Sequence, residues 1–230
     1  LAEWGDPVDF RVNWPNLLDG LDDEAALLTA LLLTMRGLGR ALAQAAIEAI
    51  KKAAHNPNAF QELYAAALSN LAGAHTQGAY LGRLKAGLDA PLGEADHLFG
   101  QAAAAEQAPF WKTFVAQLQA GDKRYVTKQE DGSAAPREKP IQNRSDLYGL
   151  RVAGSANEAW SYALPDGTVI FWELGGAEHH CVLCPKIADN GPYNAQSLPT
   201  YPRHGATDCG VNCDCHLRTD NGQTSFILPV

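Results

Sequence analysis

All five cysteines of this 230-residue chain fall between Cys181 and Cys215. Their spacing is C-x2-C, then twenty-four residues, then C-x3-C-x-C, which is a metal-ligand pattern. Zinc takes four soft ligands at tetrahedral corners, and two thiolates separated by two residues reach one ion from a single tight turn. Cys181 and Cys184, in HHCVLCP, form one half of such a site; Cys209, Cys213 and Cys215, in TDCGVNCDCHL, supply the other and leave one thiol over. Disulfides are the rival chemistry. An odd count would strand a thiol, and ligand-spaced pairs in a chain of this length point to metal rather than to staples. His179, His180, His204 and His216 crowd the same region, so three thiolates with one imidazole is the variant of the all-sulfur site.

Zinc chemistry of the catalytic kind makes further demands. A deaminase sets H-x-E ahead of P-C-x-x-C, with the glutamate moving protons and one zinc position open to water. Here Glu178-His179-His180 precedes the first cysteine pair and H-x-E is absent. A nuclease would need a general-base histidine, for which His179 or His180 is the candidate, and a second metal site. Gly37-Leu38-Gly39 lacks the third glycine and the preceding strand of a dinucleotide loop, and no phosphate loop, G-x-S-x-G elbow or H-E-x-x-H occurs. No catalytic residue is assigned; a zinc-containing nuclease or other nucleic-acid-processing enzyme is the alternative reading. Charge opposes a nucleic-acid partner, since the net charge is −8 and residues 151–230 hold four basic against eight acidic side chains. Displacing phosphate counterions needs a cationic surplus.

The elements that must position these cysteines come before them in the chain. Residues 1–15, with Trp4, Pro7, Trp14 and Pro15, lack a helical period and read as an extended arm. From Leu17 to Ala54 the pattern is helical, with Asp22, Asp23 and Glu24 early, Lys51 and Lys52 late, and His55-Asn56-Pro57 as the stop. Leu28, Leu31, Met35, Leu38, Leu42, Ala45 and Ala49 form a heptad seam, which needs an antiparallel helix of the same chain or a second copy. A second helix runs from Asn58 to about Gly87. Its small residues Ala74, Gly78, Gly82 and Ala86 suit a close backbone approach by the first helix. Residues 92–107 and Phe110 to Ala120 read as two more helices.

The polar stretch from Lys128 to Pro140 is a mobile loop or a hairpin around Asp131-Gly132. Arg144 to Ala163 is a further helix, Pro165-Asp166-Gly167 a turn, Thr168 to Trp172 a strand, and Thr224 to Leu228 a second strand. Arg144, Arg151, Asn157 and Trp160 are placed to pack that helix onto the cysteines, with Trp172 as an apolar lid. The fold class is mainly α with a small C-terminal α+β zinc-binding module, behind a helical N-terminal region of long packed helices. The divisions are 1–127 helical with its arm, 128–143 linker, and 144–230 cysteine module. No uncharged run in the first helix exceeds Ala25 to Met35, too short for a bilayer, and neither a basic flank nor an apolar signal segment opens the chain at Leu1.

The order of NRSDLYGLRVAGSANEAW, the strand FWELG, HHCVLCPKIADNGPY, SLPT and CGVNCDCHL resembles the C-terminal module of phage minor head proteins, the head-morphogenesis family related to the phage Mu F-type protein. The resemblance covers about residues 144–220. It implies a structural, non-enzymatic protein of the virion, in the capsid interior or at the portal vertex, passing through the host cytoplasm during assembly. It also implies portal or major capsid subunits as partners; the heptad seam adds self-association through the first long helix, while run length and charge oppose a membrane and a specific nucleic-acid partner. Many relatives carry a histidine before the final C-x-C, where this chain has Cys209 and sets His204 farther upstream. The ligand set favoured for a structural Zn2+ is Cys181, Cys184, Cys209 and Cys215, with Cys213 as the alternative to Cys215 and His204 less favoured.

Overall fold

A computed structural model describes residues 22–228, so the N-terminal arm and Leu17 to Leu21 lie outside the described residues. The chain is mainly helical, with a few short strands late in the sequence and a cysteine cluster near its C-terminus. Helix α1 spans Asp23–Lys52. It starts where Asp22 turns its carboxylate onto the Ala25 N–H at 2.8 Å, satisfying one of the donors a helix start leaves unpaired. Helices α2 (Ala59–Lys85), α3 (Glu94–Gln119) and α4 (Glu138–Ala163) follow.

The heptad seam of α1 is spent inside the chain. Leu31, Leu38, Leu42 and Ala49 are fully buried, with Met35 beside them, in a core built from α1 to α4. By length and apolarity α1 is sufficient to cross a bilayer, which the uncharged-run criterion missed; in the fold Leu31, Leu38 and Leu42 of that surface pack into the helical core.

The small-residue stripe on α2 receives α4, not α1 as expected. A methyl group on Gly82 would overlap the Ala156 carbonyl, and one on Gly78 would stand 2.9 Å from the Val152 carbonyl. Helix α4 meets α1 the same way, through Gly149 against the Met35 carbonyl. The heptad pattern identified the buried face of α1 and the small-residue stripe that of α2, while their common neighbour α4 meets α1 through its own Gly149 and α2 through that helix's Gly78 and Gly82, a choice periodicity does not register.

Helix α3 is continuous where two helices were expected. Pro109 sits inside it, and proline removes one intrahelical hydrogen bond. The helix persists because residues beyond the proline are anchored in the core: Trp111 and Phe114 are fully buried, and Trp111 stacks edge-on with Phe114 at 5.4 Å and with Tyr148 of α4 at 5.1 Å. Its start is held by Asp96, whose carboxylate accepts the Gly93 N–H at 2.9 Å and takes Arg83 of α2 through two bonds of 2.8 and 2.7 Å. Such a bidentate pair fixes geometry as well as charge.

Between α3 and α4 the polar stretch forms the hairpin, β1 (Val126–Lys128) antiparallel to β2 (Ala134–Pro136), with Gly132 at φ 82° in its tip. Helix α4 then begins at Glu138, earlier than the expected Arg144; Pro140 is tolerated there because first-turn N–H groups have no intrahelical acceptor.

Where α2, α3 and α4 converge, His75 is fully buried. Gln107 donates its amide N–H to His75 Nε2, and Nδ1–H donates to the Ser155 hydroxyl at 2.7 Å, so the neutral ring uses both nitrogens. Burial, reinforced by the charges of Arg151 and His204, lowers the His75 pKa to about 3. The unfolded chain protonates this histidine near its ordinary value while the folded chain holds it neutral. Folding stability therefore falls as pH drops below that ordinary value, by up to about 1.4 kcal/mol per pH unit. Urea unfolding at pH 7 and pH 5 should show this loss, and His75→Gln should remove about 2 kcal/mol of the difference between the two pH values.

A second core lies beyond the end of α4. Strand β3 (Ile170–Glu173) pairs antiparallel with β4 (His216–Thr219), setting Trp172 opposite Leu217. The second strand expected over Thr224 to Leu228 does not form: that segment makes one isolated bridge, Thr224 to Arg218. Phe226 and Leu228 instead enter the helical core, and Asn157 captures the Phe226 N–H at 3.1 Å. Trp160, Ile170, Trp172, Ile187, Tyr201 and Leu217 enclose the cysteines.

Candidate metal centre

Cys181 and Cys184 lie at the start of a short helix, α5 (Leu183–Asn190). The turn brings the Cys184 N–H to 3.4 Å from Cys181 Sγ, a donor suited to a thiolate. Cys209 and Cys213 flank the 3-10 turn Gly210–Asn212, and Cys215 follows immediately ahead of β4. Cys184 Sγ is 3.2 Å from Cys181 Sγ, 3.6 Å from Cys209 Sγ and 3.7 Å from Cys213 Sγ. Zinc–sulfur bonds of about 2.3 Å at tetrahedral angles set sulfurs about 3.8 Å apart. Cys215 joins Cys184 and Cys213 in a second group whose sulfurs lie within 4.8 Å of one another. All five thiols are free. The cluster can therefore hold a metal ion, and its donor chemistry fits a soft or borderline one.

The thiols perturb one another strongly. Burial resists ionisation of Cys181, yet hydrogen bonds from Cys184 draw its pKa down to about 7. Burial pushes Cys184 well up and raises Cys209 to about 11. The bond between Cys213 and Cys215 raises the former and lowers the latter; burial opposes the lowering, and the Gly175 N–H and the Trp172 indole favour it. Each thiolate thus makes the next harder to form. A coordinated divalent cation reverses that balance, because it deprotonates the thiols that bind it.

Arg203 was missed by sequence reasoning. It is 8% exposed, holds φ 65°, and donates to the Val211 carbonyl at 3.2 Å, within the electrostatic reach of Cys213, Asp214 and Cys209. Its cation offsets the negative charge of a thiolate cluster, and no spacing rule signals it. Thr207 is a second such residue, with its hydroxyl 3.2 Å from Cys209 Sγ. His204 points elsewhere, to Glu158 at 3.4 Å and Glu106 at 3.8 Å. Among the described residues, the groups able to hold a metal consist of cysteines alone.

Helix α4 holds the loop that precedes Cys209, Cys213 and Cys215. Asn157 is 1% exposed, donates to the Pro202 carbonyl at 3.2 Å and accepts from the Phe226 N–H, so one amide ties both that loop and the C-terminal segment to the helix. Asn157→Ala leaves both backbone groups unsatisfied. It should cost about 3 kcal/mol in denaturant unfolding, with Asn157→Asp, which keeps the acceptor alone, falling between. Trp160 and Trp172 sit in the same core as the thiols, as expected from sequence.

Compared with known protein families, curated proteins and solved structures, the chain finds no match.

Proposed function

We propose that this chain is a phage minor head protein of the head-morphogenesis type, a structural component that contacts portal or major capsid subunits and contains one structural zinc. The observation that supports this reading is the meeting in one core of the Asn157-bearing helix, the Trp172 strand and both cysteine clusters, the parts that carry the resemblance. In the proposed site Cys181, Cys184 and Cys209 are ligands, and Cys213 takes the fourth corner on the strength of its 3.7 Å approach to Cys184. Cys215 then lies behind Cys213 and steadies its sulfur. Four thiolates complete the tetrahedron and leave no corner for an activated water, which suits a staple rather than a catalyst. The ion joins segments that are poor in regular structure, and in small domains such binding is itself folding free energy.

Mass spectrometry of purified virions and of particles stalled in assembly tests the role. The chain should be present in both at low copy number. Its absence from both would remove the head-protein reading, and metal-dependent DNA cleavage lost in His180→Ala would replace it with a nuclease.

A further inference from the structure

A cleft of about 200 Å³ opens between α3, α4 and the loop that carries the ligand cysteines. Phe110, Leu147 and Val211 give it apolar walls, and Phe110 stands 59% exposed at its edge. Its polar groups are unevenly satisfied. Arg151 already pairs with Glu106 at 2.9 Å, so it brings little net charge. Arg144 has no carboxylate partner among the described residues; its Nε is buried without a hydrogen-bond partner, and its guanidinium lies 5.8 Å from the centre of the Tyr148 ring. Tyr148 is 5% exposed, and its buried hydroxyl has the Arg144 guanidinium as its polar neighbour and no acceptor for its own proton.

Arg144 thus lines the cleft with no counter-charge, beside a phenol whose proton has no acceptor, and polar groups so placed are ordinarily paired. A guanidinium edge beside a hydroxyl matches the two oxygens of a carboxylate. A phosphate fits less well, since it would set a dianion between apolar walls close to Glu106. An extended nucleic-acid backbone needs a track of cations, and this cleft offers one uncompensated guanidinium.

We propose that this cleft binds a carboxylate carried on an apolar group, held by Arg144 and the Tyr148 hydroxyl, with Phe110 against the apolar part. The proposal stands independently of the metal and of the head-protein reading. Two sources share this chemistry, a free organic acid and the C-terminal carboxylate of another polypeptide.

The test is calorimetric titration of the intact chain with phenylacetate, and with an acetylated tetrapeptide ending in phenylalanine, as the free acid and as the amide. Saturable binding of either acid is expected, with the amide weaker by about tenfold or more. Tyr148→Phe, which removes one oxygen, should weaken binding roughly fivefold, and Arg144→Lys roughly tenfold, with the melting temperature of each variant confirming its fold. Tighter binding of the peptide acid than of phenylacetate assigns the source to a chain terminus; equal binding assigns it to a free acid. Failure of both acids to bind, equal binding of acid and amide, indifference to both substitutions, or preference for inorganic phosphate or an oligonucleotide would each overturn the proposal.

Discussion

Cys184→Ser is expected to release the metal and destabilise the chain by on the order of 5 kcal/mol, a loss in the range reserved for destroyed metal sites and core cavities. Cys184 is the point where the cluster converges: it is 1% exposed, and both groups of sulfurs able to hold an ion include it. A serine there replaces a thiolate with a poor ligand and leaves the remaining thiols to repel one another. Cys215→Ser should differ in kind. With Cys213 at the fourth corner it removes a supporting sulfur, keeps the metal, and costs about 1 kcal/mol. Elemental analysis together with denaturant unfolding of the two variants separates the cases, and metal loss in Cys215→Ser with retention in Cys213→Ser would exchange the roles of those two residues.

Gly82→Ala should destabilise by about 3 kcal/mol, even though alanine is the better helix former by about 1 kcal/mol. Its methyl group would meet the Ala156 carbonyl, with the Trp160 backbone nitrogen at 3.0 Å, so the obstacle is helix backbone that cannot rotate away. Trp160 lies in the core around the thiols, so separating α2 from α4 should also loosen the cysteine cluster. Gly176→Ala is the control: a Cβ there meets nothing within 4 Å, and its unfolding free energy should be unchanged. Thermal unfolding of both variants, followed by a metal-release assay with a chelator, reads the two effects.

How much of this was legible from sequence differs between levels. The cysteine clusters, the Trp172 strand and the buried faces of α1 and α2 follow from spacing and periodicity, which report directly on local geometry. The partner of β3 did not. Thr224 to Leu228 has the composition of a strand, yet β4 lies immediately after the last cysteine, where the metal-ligand motif masks the His216 to Thr219 alternation. Pro109 misled in the opposite sense, because a local breaker was outweighed by Trp111 and Phe114 anchored in the core beyond it. The buried histidine network at His75 carries no sequence signature, since it joins residues 80 and 32 positions apart, and Arg203 meets the thiols through a loop conformation that no spacing rule registers.

The central claim, a closed thiolate site for one structural zinc, meets its most direct test in zinc-edge X-ray absorption of the purified chain alongside metal content per molecule. The account predicts one zinc per chain with four sulfurs at about 2.3 Å and no lighter neighbour in the first shell. A fully folded chain that contains no metal and links its two cysteine clusters by disulfides, or a shell that mixes sulfur with a water oxygen, would contradict it.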